Sequence, residues 1–151
     1  MITSILHVGI TVTDMDRSIA FYRDILGLSF QGELMMKGET TDKLFGMQDC
    51  QARVAYLNGS SHLNVPPVEL IQFISHKPRE QESSLFSTSI SEICFLTDDL
   101  WREYHRLCEL GVEFLSEPQD FDFTADGFGK SRAVYFKDPD GIILELMEEM
   151  Q

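Results

Sequence analysis

Positive charge is scarce in this chain. Its 151 residues hold 12 Lys and Arg against 25 Asp and Glu, a formal net charge of −13, and the basic residues form no stripe. Binding to a nucleic-acid duplex is thereby disfavoured, because the phosphate backbone is held by Lys and Arg and repels an acidic partner. Long apolar runs are lacking too. No segment reaches the roughly 18 residues of a membrane span, and residues 1–7 have no basic region leading into an apolar stretch, as a secretory signal would. The expectation is a cytoplasmic protein with no membrane partner. Cysteine is sparse: Cys50, Cys94 and Cys108 stand far apart without CxxC or CxxH spacing, so neither a disulfide framework nor a zinc knuckle is indicated. Cys94 lies in an apolar run and reads as core. No GK[ST] follows Gly127 and Gly129, so residues 121–129, FDFTADGFG, are no phosphate loop; they read as a lid or a long connection.

What is present is an ordinary globular composition, with 43% apolar and 25% charged residues in a length suited to one or two small domains. Leu6, Val8, Ile10 and Val12 alternate with His7, Gly9, Thr11 and Thr13. That period of two marks a strand and puts His7 on its other face. Asp14 offers an N-cap, Met15, Ile19, Tyr22 and Leu26 recur at helical spacing, and Gly27 supplies a stop. A strand near residues 28–36, a polar loop over 38–49, and strands over 52–57 and 68–74 follow, the last after the Pro66-Pro67 break. Residues 77–88 turn polar and read as a linker. Beyond it come a strand over 92–97, a helix over 100–110 capped by Asp98-Asp99 and ended by Gly111, and strands over 112–115, 131–137 and 142–147. Asp138-Pro139-Asp140-Gly141 forms the turn between the last two.

The two halves superpose. His7 and Glu92 are 85 residues apart, as are Asp14 and Asp99, whereas Gly27 and Gly111 are 84 apart, so the second helix is one residue shorter. Residues 53–57 match 132–136 at an offset of 79, and Glu69-Leu70 matches Glu145-Leu146 at 76. The chain is thus a βαβββ unit written twice, an α+β pattern.

With LHVGITVTDMDRSIAFYRDILGL, VELIQF, EICFLTDDL and YFKDPDGIILEL in view, the chain resembles the vicinal oxygen chelate superfamily. That family includes glyoxalase I, methylmalonyl-CoA epimerase, extradiol dioxygenases, fosfomycin-resistance proteins and bleomycin-binding proteins. The resemblance implies one domain over residues 1–151, with modules at about 4–75 and 90–148 joined by the linker, whose strands curve into a mixed sheet around a central cleft. It also implies a divalent metal, with His7, Glu69, Glu92 and Glu145 at the ligand positions. The repeat pairs these residues independently, His7 with Glu92 and Glu69 with Glu145. Strand alternation sets Glu92, Cys94 and Leu96 on one face, and Glu145 with Ile143 and Met147 on one face. A Glu among apolar neighbours on a buried strand either takes up a proton or finds a cation.

Where glyoxalase I and the epimerases usually carry a second His, this chain has Glu92. One imidazole and three carboxylates suit Mn²⁺, Mg²⁺, Ni²⁺ or Zn²⁺ bound through nitrogen and oxygen rather than a thiolate site. A three-ligand site with Glu92 turned away and a site without metal stay open. Each residue also has a plainer reading: His7 as a satisfied strand-start histidine, Glu69 at an edge, Glu92 paired with Arg53 or Arg132, and Glu145 in an acidic tail with Glu148 and Glu149. His76 and His105 read as surface residues; His62 lies in the loop before the Glu69 strand. Arg53 and Arg132, at equivalent repeat positions, are candidates to meet an anionic substrate or to neutralise the acids. Phe73 and Phe128 are candidate substrate contacts.

By resemblance the expected function is that of a metal-dependent lyase or isomerase acting on a small α-oxygenated carbonyl compound through a metal-stabilised enolate, with Glu69 or Glu145 carrying the proton. A homodimer is expected by the same resemblance. The alternative is a non-catalytic small-molecule binding protein of bleomycin-resistance type, its cleft lined by acids and by Tyr56, Phe73 and Phe128. An extradiol dioxygenase is disfavoured, because that family implies two His and one carboxylate.

Overall fold

The structure is a computed structural model, which describes residues 5–59, 67–79, 82–85, 88 and 90–150. His62 and Pro66 lie outside the described residues. The chain divides into two compact units, Met1–Glu80 and Gln81–Gln151.

In the first unit, β1 (Val8–Thr11) leads to α1 (Met15–Ala20), and then come β2 (Ser29–Lys37), α2 (Glu39–Phe45), β3 (Gln51–Asn58) and β4 (Val68–Phe73). The sheet order is β1-β4-β3-β2, with β1 parallel to β4 and the other pairs antiparallel. Asp14 caps α1 by accepting from the Arg17 N–H at 3.0 Å, as the sequence leads one to expect. Gly27 leaves the helix at φ +79°, a conformation that favours glycine. Between them α1 runs into one π-helical turn, Phe21–Ile25, in which the Leu26 N–H reaches back to the Phe21 carbonyl at 3.0 Å. A π turn holds one more residue than an α turn. It is here that the first helix accommodates the residue its counterpart lacks.

The second unit runs β5 (Ile93–Leu96), α3 (Leu100–Glu109), β6 (Gln119–Phe123), β7 (Gly129–Lys137) and β8 (Ile143–Met150), in the sheet order β5-β8-β7-β6. Again the first and last strands of the unit are parallel. Asp99 caps α3 through the Arg102 N–H at 3.0 Å. The Asp138 carboxylate, buried, accepts from the Asp140 and Ile142 N–H groups at 2.9 and 2.8 Å. That turn sets the register of β7 on β8 and places Tyr135 directly opposite Glu145. The two α+β units therefore carry the expected tandem arrangement.

Each sheet packs a helix on one face. Val12, Met15, Tyr22, Leu57 and Leu70 are fully buried in the first unit, and Leu100, Phe136 and Leu144 in the second. The first N–H of α1 and of α3 is taken up by the last strand of its unit. Gln72 Oε1 accepts from Met15 N at 3.3 Å, and Glu148 Oε2 accepts from Leu100 N at 2.8 Å. Gln72 and Glu148 are 76 residues apart, so they are repeat counterparts.

Several expectations are corrected. The polar segment after β2 contains α2, closed by Gly46 at φ +63°. Residues 112–115 form no strand: Phe114 makes one isolated bridge to Phe136, and the strand is Gln119–Phe123. Residues 121–129 belong to the β6–β7 hairpin with a 3₁₀ turn at Thr124–Asp126, rather than to an irregular loop. Cys94 is exposed rather than core, because it shares its strand face with Leu96, which is 72% exposed. Glu148 and Glu149 belong to β8 rather than to a tail. Among the described residues no helix is long and apolar enough to cross a membrane, and those of the linker, 77–79, 82–85 and 88, hold no helix or strand.

Candidate functional site

In the first unit the parity of the strands decides which side chains meet. Glu69 lies opposite Gly9 on β1 and Tyr56 on β3, so these three positions share a face with Ile71 and Phe73. His7, two residues before Gly9, stands on that face as well. Glu69 is 9% exposed. One of its oxygens, Oε1, accepts from the Tyr56 hydroxyl at 2.6 Å; the other, Oε2, lies 3.1 Å from His7 Nε2. The imidazole also meets the Tyr56 ring edge-on, with centroids 6.1 Å apart. The hydrogen bond to Glu69 holds the phenol proton and, with burial, pushes Tyr56 up to about 12. Gly9 leaves room for the carboxylate: a Cβ there would sit 3.4 Å from Oε2.

The second unit repeats the placement with different partners. Glu145 lies opposite Cys94 on β5 and Tyr135 on β7, and is 7% exposed. The Cys94 thiol, the counterpart of Gly9, stands beside it across the β5–β8 pair. Burial raises the Glu145 carboxyl above the usual range, the Cys94 thiol opposes this, and the negative Glu92 adds to it. Partial desolvation of its sulfur, with the Glu145 and Glu92 carboxylates beside it, pushes Cys94 up to about 12, so it is a poor nucleophile. The Tyr135 phenol is raised by burial and by the charges of Glu145, Glu92 and Cys94.

Of the remaining sequence candidates, only Phe73 shares a face with one of these acids. Arg53 bonds Asp16 and Glu33 at 2.9 and 2.8 Å. Arg132 bonds Asp120 at 2.6 and 3.0 Å, lies 3.8 Å from Glu148, and sits over the Trp101 ring at 5.8 Å. Arg53 is three residues from Tyr56, and Arg132 is three from Tyr135. An odd spacing puts each arginine on the helix-covered face, away from Glu69 and Glu145. Neither pairs with Glu92; their acids belong to their own helix side. Phe73 shares the Glu69 face, where it meets Phe45 of α2 edge-on at 5.2 Å. Phe128 is 86% exposed in the β6–β7 hairpin. His76 accepts from or donates to Ser75 Oγ at 2.7 Å, and His105 bonds the Trp101 carbonyl oxygen at 2.7 Å; both contacts are exposed.

Tyr56 is the site residue that sequence reasoning did not tie to Glu69. The sequence shows only that Tyr56 and Tyr135 are repeat counterparts; that each stands directly across from a candidate acid comes from the strand register.

Whether these donors suit a divalent ion is a question of distance and charge. Two ligands about 2.1 Å from one ion and at right angles to each other are about 3.0 Å apart, close to the 3.1 Å between His7 Nε2 and Glu69 Oε2. In the other unit a desolvated carboxyl beside a second carboxylate gains from a cation. The donor types and the first pair's spacing therefore fit. Among the described residues, however, no group of three or more His, Cys, Asp and Glu is gathered as an ion would hold them.

The chain is similar to solved and curated proteins over nearly its whole length. A glyoxalase family protein from Bacillus cereus matches at a TM-score of 0.83 and 20% identity, covering 100% of this chain and 97% of that one. The trypanothione-dependent glyoxalase I of Leishmania major matches at a TM-score of 0.64 and 22% identity, covering 97% and 87%. The metallothiol transferase FosB of Staphylococcus epidermidis is 28% identical over 146 residues, 96% of this chain and 81% of that protein. The family model for glyoxalase, bleomycin resistance protein and dioxygenase covers residues 4–146. By that match the chain belongs to the glyoxalase/bleomycin resistance protein/dioxygenase superfamily.

Proposed function

We propose that the protein is a metal-dependent lyase or isomerase acting on a small α-oxygenated carbonyl compound, with His7, Glu69, Glu92 and Glu145 as metal ligands and Glu69 or Glu145 as proton carrier. The observation that carries this reading is the repeated burial of Glu69 and Glu145, each at the same register against a tyrosine and each on the sheet face opposite α1 or α3. Glu69 has Tyr56 and His7 as partners, whereas Glu145 is raised by burial and by the neighbouring Glu92, an arrangement that a cation would relieve. The similarity to FosB, a metallothiol transferase, supports a metal here as well.

When bound, the ion supplies the positive charge that polarises neighbouring substrate oxygens. The chain's own residues do the rest. Tyr56 and His7 orient Glu69 from both of its oxygens. Glu145, whose carboxyl burial raises above its ordinary range, holds a proton more readily than a free carboxylate does, which suits it to the proton-carrier role. A homodimer and a cytoplasmic location complete the proposal.

The test is elemental analysis of protein purified without chelator, with thermal unfolding in Mn²⁺ and Ni²⁺. Stoichiometric metal and a Tm raised by the ion in the wild type, both lost in His7→Ala and Glu145→Gln, are the expected results. A wild type that takes up no metal and whose Tm ignores both ions would overturn the reading in favour of the non-catalytic binding module.

A further inference from the structure

We propose that Tyr56 is a positioning residue that sets which metal ions the site accepts, by confining Glu69 to ligation through a single oxygen; this rests on the metal-dependent reading above. A carboxylate has two oxygens of equal reach, and an ion meeting both is held in a bidentate mode. Large ions with many ligands, such as Ca²⁺, use this mode freely, whereas smaller ions at about 2.0–2.2 Å take one oxygen from each carboxylate. In this protein the choice is made before any ion arrives. Glu69 Oε1 is occupied by the Tyr56 hydroxyl at 2.6 Å, and only Oε2 faces His7 Nε2, 3.1 Å away.

Tyr56 holds that place through the backbone. It stands directly across from Glu69 in the β3–β4 ladder, beside the β2–β3 bulge, where the register skips from Phe30 to Gly32. On the opposite flank Gly9 adds no side chain, and Ile71 Cδ1 lies 3.6 Å from where its Cβ would be. The carboxylate is therefore bracketed on both sides.

The second unit supplies an internal comparison. Tyr135 has the same register against Glu145, yet among the described residues no hydrogen bond joins those two side chains, whereas Tyr56 bonds Glu69 at 2.6 Å. The tyrosine is present in both halves, but the bond described for it belongs to the first. Selectivity is accordingly assigned to Tyr56 and not to Tyr135.

The experiment is titration of the metal-free full chain with Ni²⁺ and Ca²⁺ by calorimetry, for the wild type, Tyr56→Phe and Tyr135→Phe. Phenylalanine keeps the ring and removes only the hydroxyl, and circular dichroism verifies folding. Loss of a partner behind a metal ligand typically costs about 10–100-fold in affinity. Tyr56→Phe is expected to lose about that much for Ni²⁺ while Ca²⁺ affinity holds or rises, moving the ratio of the two by about tenfold or more. Tyr135→Phe is expected to leave the ratio within about threefold of wild type. A purely structural role for Tyr56 would weaken both ions equally; an unchanged ratio in Tyr56→Phe, or an equal shift in both variants, overturns the assignment while leaving metal dependence intact. A wild type that binds neither ion overturns both. Should Tyr56→Phe fail to fold, Tyr56→His, which retains a donor, must keep the wild-type ratio, and a shift of tenfold there overturns the assignment as well.

Discussion

Replacing Glu148 and Glu149 one at a time separates two neighbouring acids that look alike in the sequence. Glu148 Oε2 accepts from the Leu100 N–H at 2.8 Å, at the start of α3, and it lies near Arg132. Glu149 is exposed and points to the other face of β8. In Glu148→Ala the helix loses a charged acceptor where its unpaired N–H groups and the positive end of its dipole are concentrated. A hydrogen bond to a charged group contributes about 1.5–3 kcal/mol. Because 21% of the Glu148 side chain stays in contact with water, and water can replace the lost acceptor, the lower figure of about 1.5 kcal/mol is expected. For a chain of this size that is a fall in Tm of about 3–6 °C, read by circular dichroism at pH 7. Glu149→Ala should stay within about 0.5 kcal/mol. Glu148→Gln should keep much of the stability, since Gln72 performs the same task at Met15 in the first unit. An equal rise in Tm in both alanine variants would identify two repelling charges of an acidic tail and refute the role in holding the helix.

Other perturbations follow from the same geometry. Ser18 is fully buried and its hydroxyl has no hydrogen-bond partner among the described residues; such a group costs about 1–3 kcal/mol, so even at the lower figure Ser18→Ala should raise Tm by about 2–4 °C, and a fall would refute this. The Glu145 carboxyl is raised in the fold, so it penalises the metal-free protein at neutral pH, and the penalty disappears as pH falls below the ordinary carboxyl range. Glu145→Gln should therefore be the more stable protein in denaturant with chelator at pH 7, with the gap closing toward pH 4; a gap that widens on acidification would reverse the sign. At Gly9 a Cβ would just touch Glu69 Oε2. Gly9→Ala should fold with its metal uptake intact, whereas Gly9→Val should lose metal uptake by elemental analysis while keeping its helical signal.

Much of the candidate site was legible because two periodicities agreed. Alternation put Glu145 on a defined face of its strand, and the repeat paired it with Glu69. The same alternation also carried the fate of the arginines: a three-residue spacing from Arg53 to Tyr56 and from Arg132 to Tyr135 sends them to opposite faces. Reading them as substrate contacts rewarded their repeat equivalence over their parity. The Tyr56–Glu69 bond was beyond reach, because it depends on the β3–β4 register, and the connection between those strands fixes no unique register by its sequence. The helix α2 was hidden in a polar segment without a helical apolar stripe, where Gly38 and Gly46 bracket it and a Lys43–Glu39 pair supports it. In β6, Phe121 and Phe123 alternate with Asp120 and Asp122, and the two rings stack at 5.7 Å; the flanking glycines drew attention to a loop instead.

The π-helical turn at Phe21–Ile25 has a bearing on how each module keeps its dimensions. An extra residue in a regular helix would swing everything beyond it by about 100°, turning the greasy stripe away from the sheet and misdirecting the chain as it enters β2. Here the wider turn swallows the addition, and Gly27 still provides the exit, as Gly111 does after α3. The module measures its helix between a cap tethered to the last strand and a glycine, not by counting residues. A one-residue difference inside that interval is thus absorbed without shifting the strand that presents Glu69.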